Sequence, residues 1–449
     1  MSEWRLEVCE DNGCVSFGAR MIREEYRHIT GTELQAAENG YKGNSIRISV
    51  DTSLSDGYVI DIPEEKDGTQ FIEICGSDAA MTMYACSEFA NIVLPKLHRS
   101  NTSCSPYYFH PLFTEKALPK YHLQSRPAVK HRGLWTWGHV IYDYRGFFEN
   151  MARLRLNEVI IWNDFPPLNA KEVVEKAHSL GIKVIWGYAW GWDTGMRIDT
   201  TEDAVNAIVN EYEEGYAGIP GDGIYFQSFT ETTKETLDGR LIAEAVVDFV
   251  NRISERLLEK HPDLLLQFGL HAMSVKNRLD IIAETDSRVH IVWEDCGAFP
   301  YHYIVTNREN AEETNLLTKK ILDLRQDAVC GAVLKGMICL NWNRFAHMTA
   351  PMNIGCADGE TIQRRRDEIK PILHILQADW AAYGEPLAQI VRMYAEKDDA
   401  ELYGLYEDGV LERDITLPVA VFADILWDPS RDYADILHET MSRPDISFI

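Results

Sequence analysis

The sequence has no CxxC pair, no HxxxH pair and no matched Cys/His spacing, which leaves no pattern for a zinc site. Its carboxylates do not cluster as a cation-binding loop requires, so the expectation is no metal and no cofactor. The nine cysteines, at 9, 14, 75, 86, 104, 296, 330, 339 and 356, are odd in number and irregular in spacing. They read as reduced thiols rather than a disulfide framework. Positive charge is scarce: 44 Lys and Arg stand against 70 Asp and Glu, a net charge of −26. That argues against a nucleic-acid partner, because phosphate binding needs a basic surface. No apolar run reaches the roughly 18 residues that a membrane span needs. The start, MSEWRLEVCEDNG, has no basic-then-apolar leader, so a cytoplasmic protein without a membrane partner is expected. No GxGxxG opens a helix, which disfavours a dinucleotide fold. Internal repeats and low-complexity tracts are absent as well.

What is present is tryptophan in a particular place. Eight of the eleven fall between Trp135 and Trp342, at the ends of short apolar runs. Most of these runs are followed by a helix-like stretch. The strand candidates are Gly133–Gly138, Glu158–Trp162, Lys183–Trp190, Gly223–Phe229, Leu265–Leu270, His290–Trp293 and Ala332–Leu340. Strands alternating with helices favour a (β/α)8 TIM barrel over an open sheet. The eighth strand is not clear and is expected near Gly336–Trp342 or as an irregular segment. Before the barrel, Val15–His28 and Asp78–Leu97 read as helices and Ser45–Val50, Gly57–Ile62 and Thr69–Ile74 as strands. The expected organisation is a small N-terminal α/β domain over 1–125, a barrel over 126–358 and a helical C-terminal segment over 359–449.

Barrel sites sit at the C-terminal ends of the strands. Indole faces pack on sugar C–H faces, so Trp137, Trp162, Trp190, Trp192, Trp293 and Trp342 suggest a carbohydrate site, with core filling as the alternative. The polar candidates at the same ends are His139, Asn163, Asp164, His271 and Asn341. His271 reads equally as a structural histidine, and Asp164 equally as a helix cap. Glycosidic cleavage needs one carboxylic acid and one carboxylate. Glu231 after the fourth strand is the candidate acid, raised by burial against aromatics such as Phe229. Glu294 and Asp295 after the sixth are candidates for the base. The partner is then a small oligosaccharide or glycoside, and a homo-oligomer is left open. A sugar-binding barrel without catalysis, or a lyase or isomerase on the same rim, is the reading from another class.

Several motifs resemble known glycosidases. Arg126-Pro127 and Arg132-Gly133-Leu134, with the amphipathic helix Asp78–Leu97 before them, resemble the barrel start and accessory domain of the family 20, 67 and 84 glycoside hydrolases. The closest likeness is to the family 67 α-glucuronidases, in which a glutamate ends strand 4 before a long helix. Glu231 stands in that place ahead of Arg240–Lys260, and Leu426-Trp427-Asp428-Pro429 resembles a segment near that family's C-terminus. The resemblance implies an exo-acting enzyme, with Glu294 or Asp295 as base. A uronic-acid substrate would call for a cationic clamp, for which Arg197, Lys335 and Arg344 are candidates. The family 20 β-N-acetylhexosaminidases are the alternative, but their Asp-Glu pair is replaced here by Thr230-Glu231.

Overall fold

The computed structural model describes residues 3–101, 113, 117–191, 197–296, 311–325, 328–337, 346–407 and 410–448. Eight parallel strands close into a barrel. In chain order they are strand 1 (His131–Trp137), strand 2 (Glu158–Trp162), strand 3 (Lys183–Ala189), strand 4 (Gly223–Gln227), strand 5 (Leu266–Leu270), strand 6 (Val289–Cys296), strand 7 (Cys330–Leu334) and strand 8 (Glu401–Leu405). Strand 8 pairs with strand 1, Glu401 opposite His131 and Leu405 opposite Trp135, and so closes the ring.

That last strand corrects the expected boundary. The barrel does not end at residue 358. The helices Gly359–Tyr383 and Glu385–Ala395 connect strand 7 to strand 8, and among the described residues the helices Leu417–Trp427 and Tyr433–Thr440 follow the barrel. Glu401–Leu405 is short, follows the polar run Lys397-Asp398-Asp399 and lies between helices, which is why periodicity does not reveal it.

A single alternation organises each strand, because successive side chains point to opposite faces. Trp135 and Trp137, Ile160 and Trp162, Tyr225, Val292, Val333, and Tyr403 and Leu405 form one interior cluster. Intervening residues such as Val159, Ile161, Phe226, Phe268 and Trp293 join the outer core with the helices. Below the interior cluster a buried polar network closes the floor. Glu158 takes bonds from His131, Lys183 and Tyr403, and Gln267 links Tyr403 to Glu401, which pairs with His290.

The N-terminal part is a six-stranded sheet in the order Gln35–Ala36, Arg5–Val8, Ser45–Val50, Phe71–Gly76, Tyr58–Ile62, Tyr121–Ser125. The first four run parallel, and Tyr58–Ile62 runs antiparallel to both its neighbours. Asp78 caps the helix that begins at Ala79, accepting the Met81 N–H at 2.8 Å.

Candidate active site

Continuing the interior series upward toward the strand ends gives the chemistry of the mouth. Val292 leads to Glu294, Val333 to Lys335, and Tyr403 and Leu405 to Glu407. All three of these upper side chains are buried. Tyr225 of strand 4 donates its hydroxyl to Glu294 Oε2. Burial, with Glu294 adding to it, holds that phenol well above its usual range, so it stays a donor. Lys335 Nζ lies 3.0 Å from Glu294 Oε1. Trp137 Nε1 donates to Glu407 Oε1 at 2.7 Å.

Glu407 is the residue that sequence reasoning missed, because its strand was missed. Its Oε2 is buried with no hydrogen-bond partner among the described residues. Burial pushes its carboxyl up to about 7; Lys335 and the Trp137 N–H pull it down, while Glu294 and Glu231 push it up. The signal that could have found it is the period-two run Tyr403, Leu405, Glu407.

Under these groups lies an aromatic floor. Trp135 and Trp137 meet edge to face at 5.8 Å, Trp137 and Trp162 at 6.0 Å, and Trp135 and Trp162 lie tilted at 5.9 Å. Tyr225 closes the group against Trp135 and Trp162. Trp137 and Trp162 thus lie on the interior face of the barrel. Two other indoles do not. Trp190 stacks on Phe226 at 3.5 Å in the outer core, and Trp293 is buried in that core too. Composition marks an indole at a strand end; only register decides which face it takes.

Glu231 differs from expectation. It is exposed rather than enclosed by aromatics. Phe229 takes a left-handed backbone, φ 46°, and its ring turns away to pack on Phe249 at 5.2 Å. The turn is held from strand 5: Thr230 Oγ1 accepts the His271 N–H at 3.2 Å and Ser274 Oγ bonds the Thr230 carbonyl at 2.8 Å. Glu231 is near enough to Glu407 to raise it.

The remaining candidates divide. Asn163 is buried at the end of strand 2, and its Oδ1 occupies the space that a Cβ at Gly138 would need. His139, in the turn after strand 1, packs on Trp137 at 5.6 Å, and burial holds its imidazole below the usual range. His271 Nε2 is buried without a partner among the described residues. Asp164 is committed elsewhere: its carboxylate takes His347 Nδ1 at 2.8 Å and the Met348 N–H at 2.7 Å. It straps the segment after strand 7 to the mouth rather than capping a helix, and His347 in turn touches the Trp137 ring. Trp192, Asn341, Trp342 and Arg344 lie outside the described residues, as does the side chain of Asp295.

Buried polar atoms normally find partners. Here Trp135 Nε1, Asn163 Oδ1, Ser228 Oγ, His271 Nε2 and Glu407 Oε2 lack them among the described residues, and all sit on upper strand segments or just past strand ends. No group of three or more potential metal ligands occurs among the described residues.

No family model matches the chain, and no curated protein matches it in sequence. Solved structures match in fold. A GH138 enzyme targeting pectin rhamnogalacturonan II aligns with 96% of this chain at a TM-score of 0.54 and 11% identity. This chain spans 64% of that one, less than two thirds of its length. The GH20 exo β-N-acetylglucosaminidase of Vibrio harveyi aligns over 98% of this chain and 73% of its own, with a TM-score of 0.54 and 10% identity. "CpGH84B" aligns over 97% and 70%, with a TM-score of 0.53 and 12% identity. At such identities the likeness is one of architecture: this chain has the barrel fold, with a small sheet domain before it, that glycoside hydrolases of families 138, 20 and 84 also use.

Proposed function

We propose that the chain is an exo-acting glycoside hydrolase that removes a terminal sugar from an oligosaccharide or glycoside. The observation that carries this reading is the arrangement of carboxyls at the upper ends of strands 4, 6 and 8, Glu231 and Glu407 past their strands and Glu294 within the last residues of its own, over a floor of indoles. Fold likeness to glycosidases raises the prior without deciding the chemistry.

Glu231 is the general acid in this reading. An exposed carboxyl at the rim meets the oxygen of a leaving group that departs toward solvent. Glu294, oriented by Tyr225 and Lys335, or its neighbour Asp295, takes the proton of the attacking water. Glu407, fixed through one oxygen by Trp137, binds glycone hydroxyls with the other. The closer likeness to α-glucuronidases rests on the sequence motifs around Glu231 and Trp427 alone.

The test is Glu231→Gln on paired glycosides of good and poor leaving groups. A phenolate with strong withdrawing groups leaves without a proton, whereas an alkoxide does not. Turnover of the alkyl glycoside is expected to fall by about 10²–10⁴, and that of the nitrophenyl glycoside by less. Equal, undiminished turnover of both by a folded variant would remove Glu231 from the mechanism. Thermal stabilisation by sugars with no turnover of any glycoside would make the barrel a binding protein.

A further inference from the structure

Among the described residues, the mouth carries more acidic than basic side chains. Three carboxyls, Glu231, Glu294 and Glu407, face one ammonium, Lys335, among the described residues. That ammonium is already engaged, 3.0 Å from Glu294 with both groups buried. It is therefore poorly placed to serve as a clamp for a uronic acid. His139, held neutral by burial, adds no positive charge.

The geometry around Glu407 adds a second, independent pointer. One carboxyl oxygen is held by an indole N–H and the other is buried and unpartnered among the described residues. Trp135, Trp137 and Trp162 lie against one another beneath the mouth in mutually inclined orientations. A carboxylate held at the N–H edge of packed indoles suits an organic cation, which the carboxylate attracts through charge and an indole face, where the cation meets one, through its quadrupole. A neutral hydroxyl gains less from such a site, and a carboxylate is repelled by it.

We propose that the glycone this site takes carries a protonated amine, an amino sugar with a free ammonium group, which pairs with Glu407 over the indole floor. The proposal rests on reading the mouth as the sugar site. The ammonium supplies the partner that Glu407 Oε2 lacks and offsets the excess of carboxyls. A uronic acid would add a further negative charge, and an N-acetylated sugar would offer no charge at all.

The experiment is calorimetric binding of glucosamine, glucose, N-acetylglucosamine and glucuronate to the unmodified full chain at about pH 7, where the amine is still largely protonated. Turnover of the corresponding nitrophenyl glycosides, both anomers, is measured alongside. Glucosamine is expected to bind at least about tenfold more tightly than glucose, the scale of one charge-assisted contact with cation–π support. Glu407→Gln, if folded, is expected to erase that preference, bringing glucosamine and glucose to similar affinities. Equal affinity for glucosamine and glucose, tighter binding of glucuronate or N-acetylglucosamine, or a preference that survives in Glu407→Gln would overturn the proposal. The wild-type comparison stands even if the variant does not fold. Preferential glucosamine binding without turnover of any glycoside would support this proposal and sink the hydrolase reading. Turnover with no preference for the amine would do the reverse.

Discussion

Glu407 is buried with one oxygen bonded to Trp137 and the other unmatched among the described residues, and such surroundings favour the protonated carboxyl. Its value in the fold is about 7, against 4.5 for an ordinary glutamate. Between those two values the folded chain binds the proton more tightly than the unfolded chain. Stability therefore falls as pH rises through this window, and the loss is complete above the upper value. The gap corresponds to about 3 kcal/mol. Glu407→Gln keeps an acceptor for the Trp137 N–H and cannot ionise. Its urea midpoint is expected to fall less than that of the wild type between about pH 5 and pH 7. Parallel curves for the two proteins would show that the Glu407 proton is not linked to folding. Glu412 in the same loop, raised by burial to about 8, adds a slope common to both proteins across this window and on to about pH 8.

At the scale of elements, the turn after strand 4 is where backbone shape is converted into chemistry. Phe229 at φ 46° sends its own ring into the outer core, while Glu231 two residues on is exposed past the end of strand 4. Thr230 ties that turn to strand 5 through the His271 N–H. Thr230→Val keeps the shape but orphans this N–H, at a cost of about 1–3 kcal/mol. If Glu231 is the acid, kcat on a poor leaving group is expected to drop on the order of tenfold with KM little changed, because small displacements of a catalytic group are costly. Unchanged kcat in a destabilised variant would separate the turn from catalysis. This element also shows how far the sequence is legible. Strand 2 reads directly because Glu158–Trp162 is a compact apolar run closed by a cap region, and Glu231 does follow the end of the fourth strand. Its exposure is not legible, since that depends on a left-handed turn no composition announces. Trp190 and Trp293 read as rim residues in the sequence because a strand's two faces look alike until its register against neighbours is known. Glu407 escapes with strand 8, whose five residues, ELYGL, carry too little pattern of their own and are defined only by pairing with strands 1 and 7.

The whole molecule is held together by a buried ionic knot behind the barrel. Arg155, just before strand 2, bonds Glu88 of the N-terminal domain and Asp424 of the helix after strand 8, each at 2.5 Å. Arg443, near the C-terminus, reaches the same Asp424 at 3.2 Å and pairs with Asp445 at 2.8 Å. Burial alone would raise the Asp424 carboxyl, but Arg443 and Arg155 hold it below the usual range. Aromatic contacts run in parallel: Trp427 stacks on Tyr58 of the N-terminal sheet at 5.4 Å, and the Arg155 guanidinium lies 4.6 Å from the Trp427 ring centre. Such a knot is weak evidence for net stability, because desolvating its charges offsets much of their attraction. Breaking it is another matter, since removing one anion leaves two buried guanidiniums short of a partner. Asp424→Asn is therefore expected to destabilise the chain by about 3 kcal/mol or more. The same knot joins three parts of the chain, so the N-terminal sheet and the barrel are expected to unfold together in urea. Coincident transitions by far-ultraviolet circular dichroism and tryptophan fluorescence check this in the wild type. Hydrogen exchange resolved along the chain then follows both parts in Asp424→Asn. Loss of protection in the N-terminal sheet at urea concentrations where the wild-type barrel is still closed would show two independent folding units, with the ionic knot a surface of contact rather than a source of cooperativity.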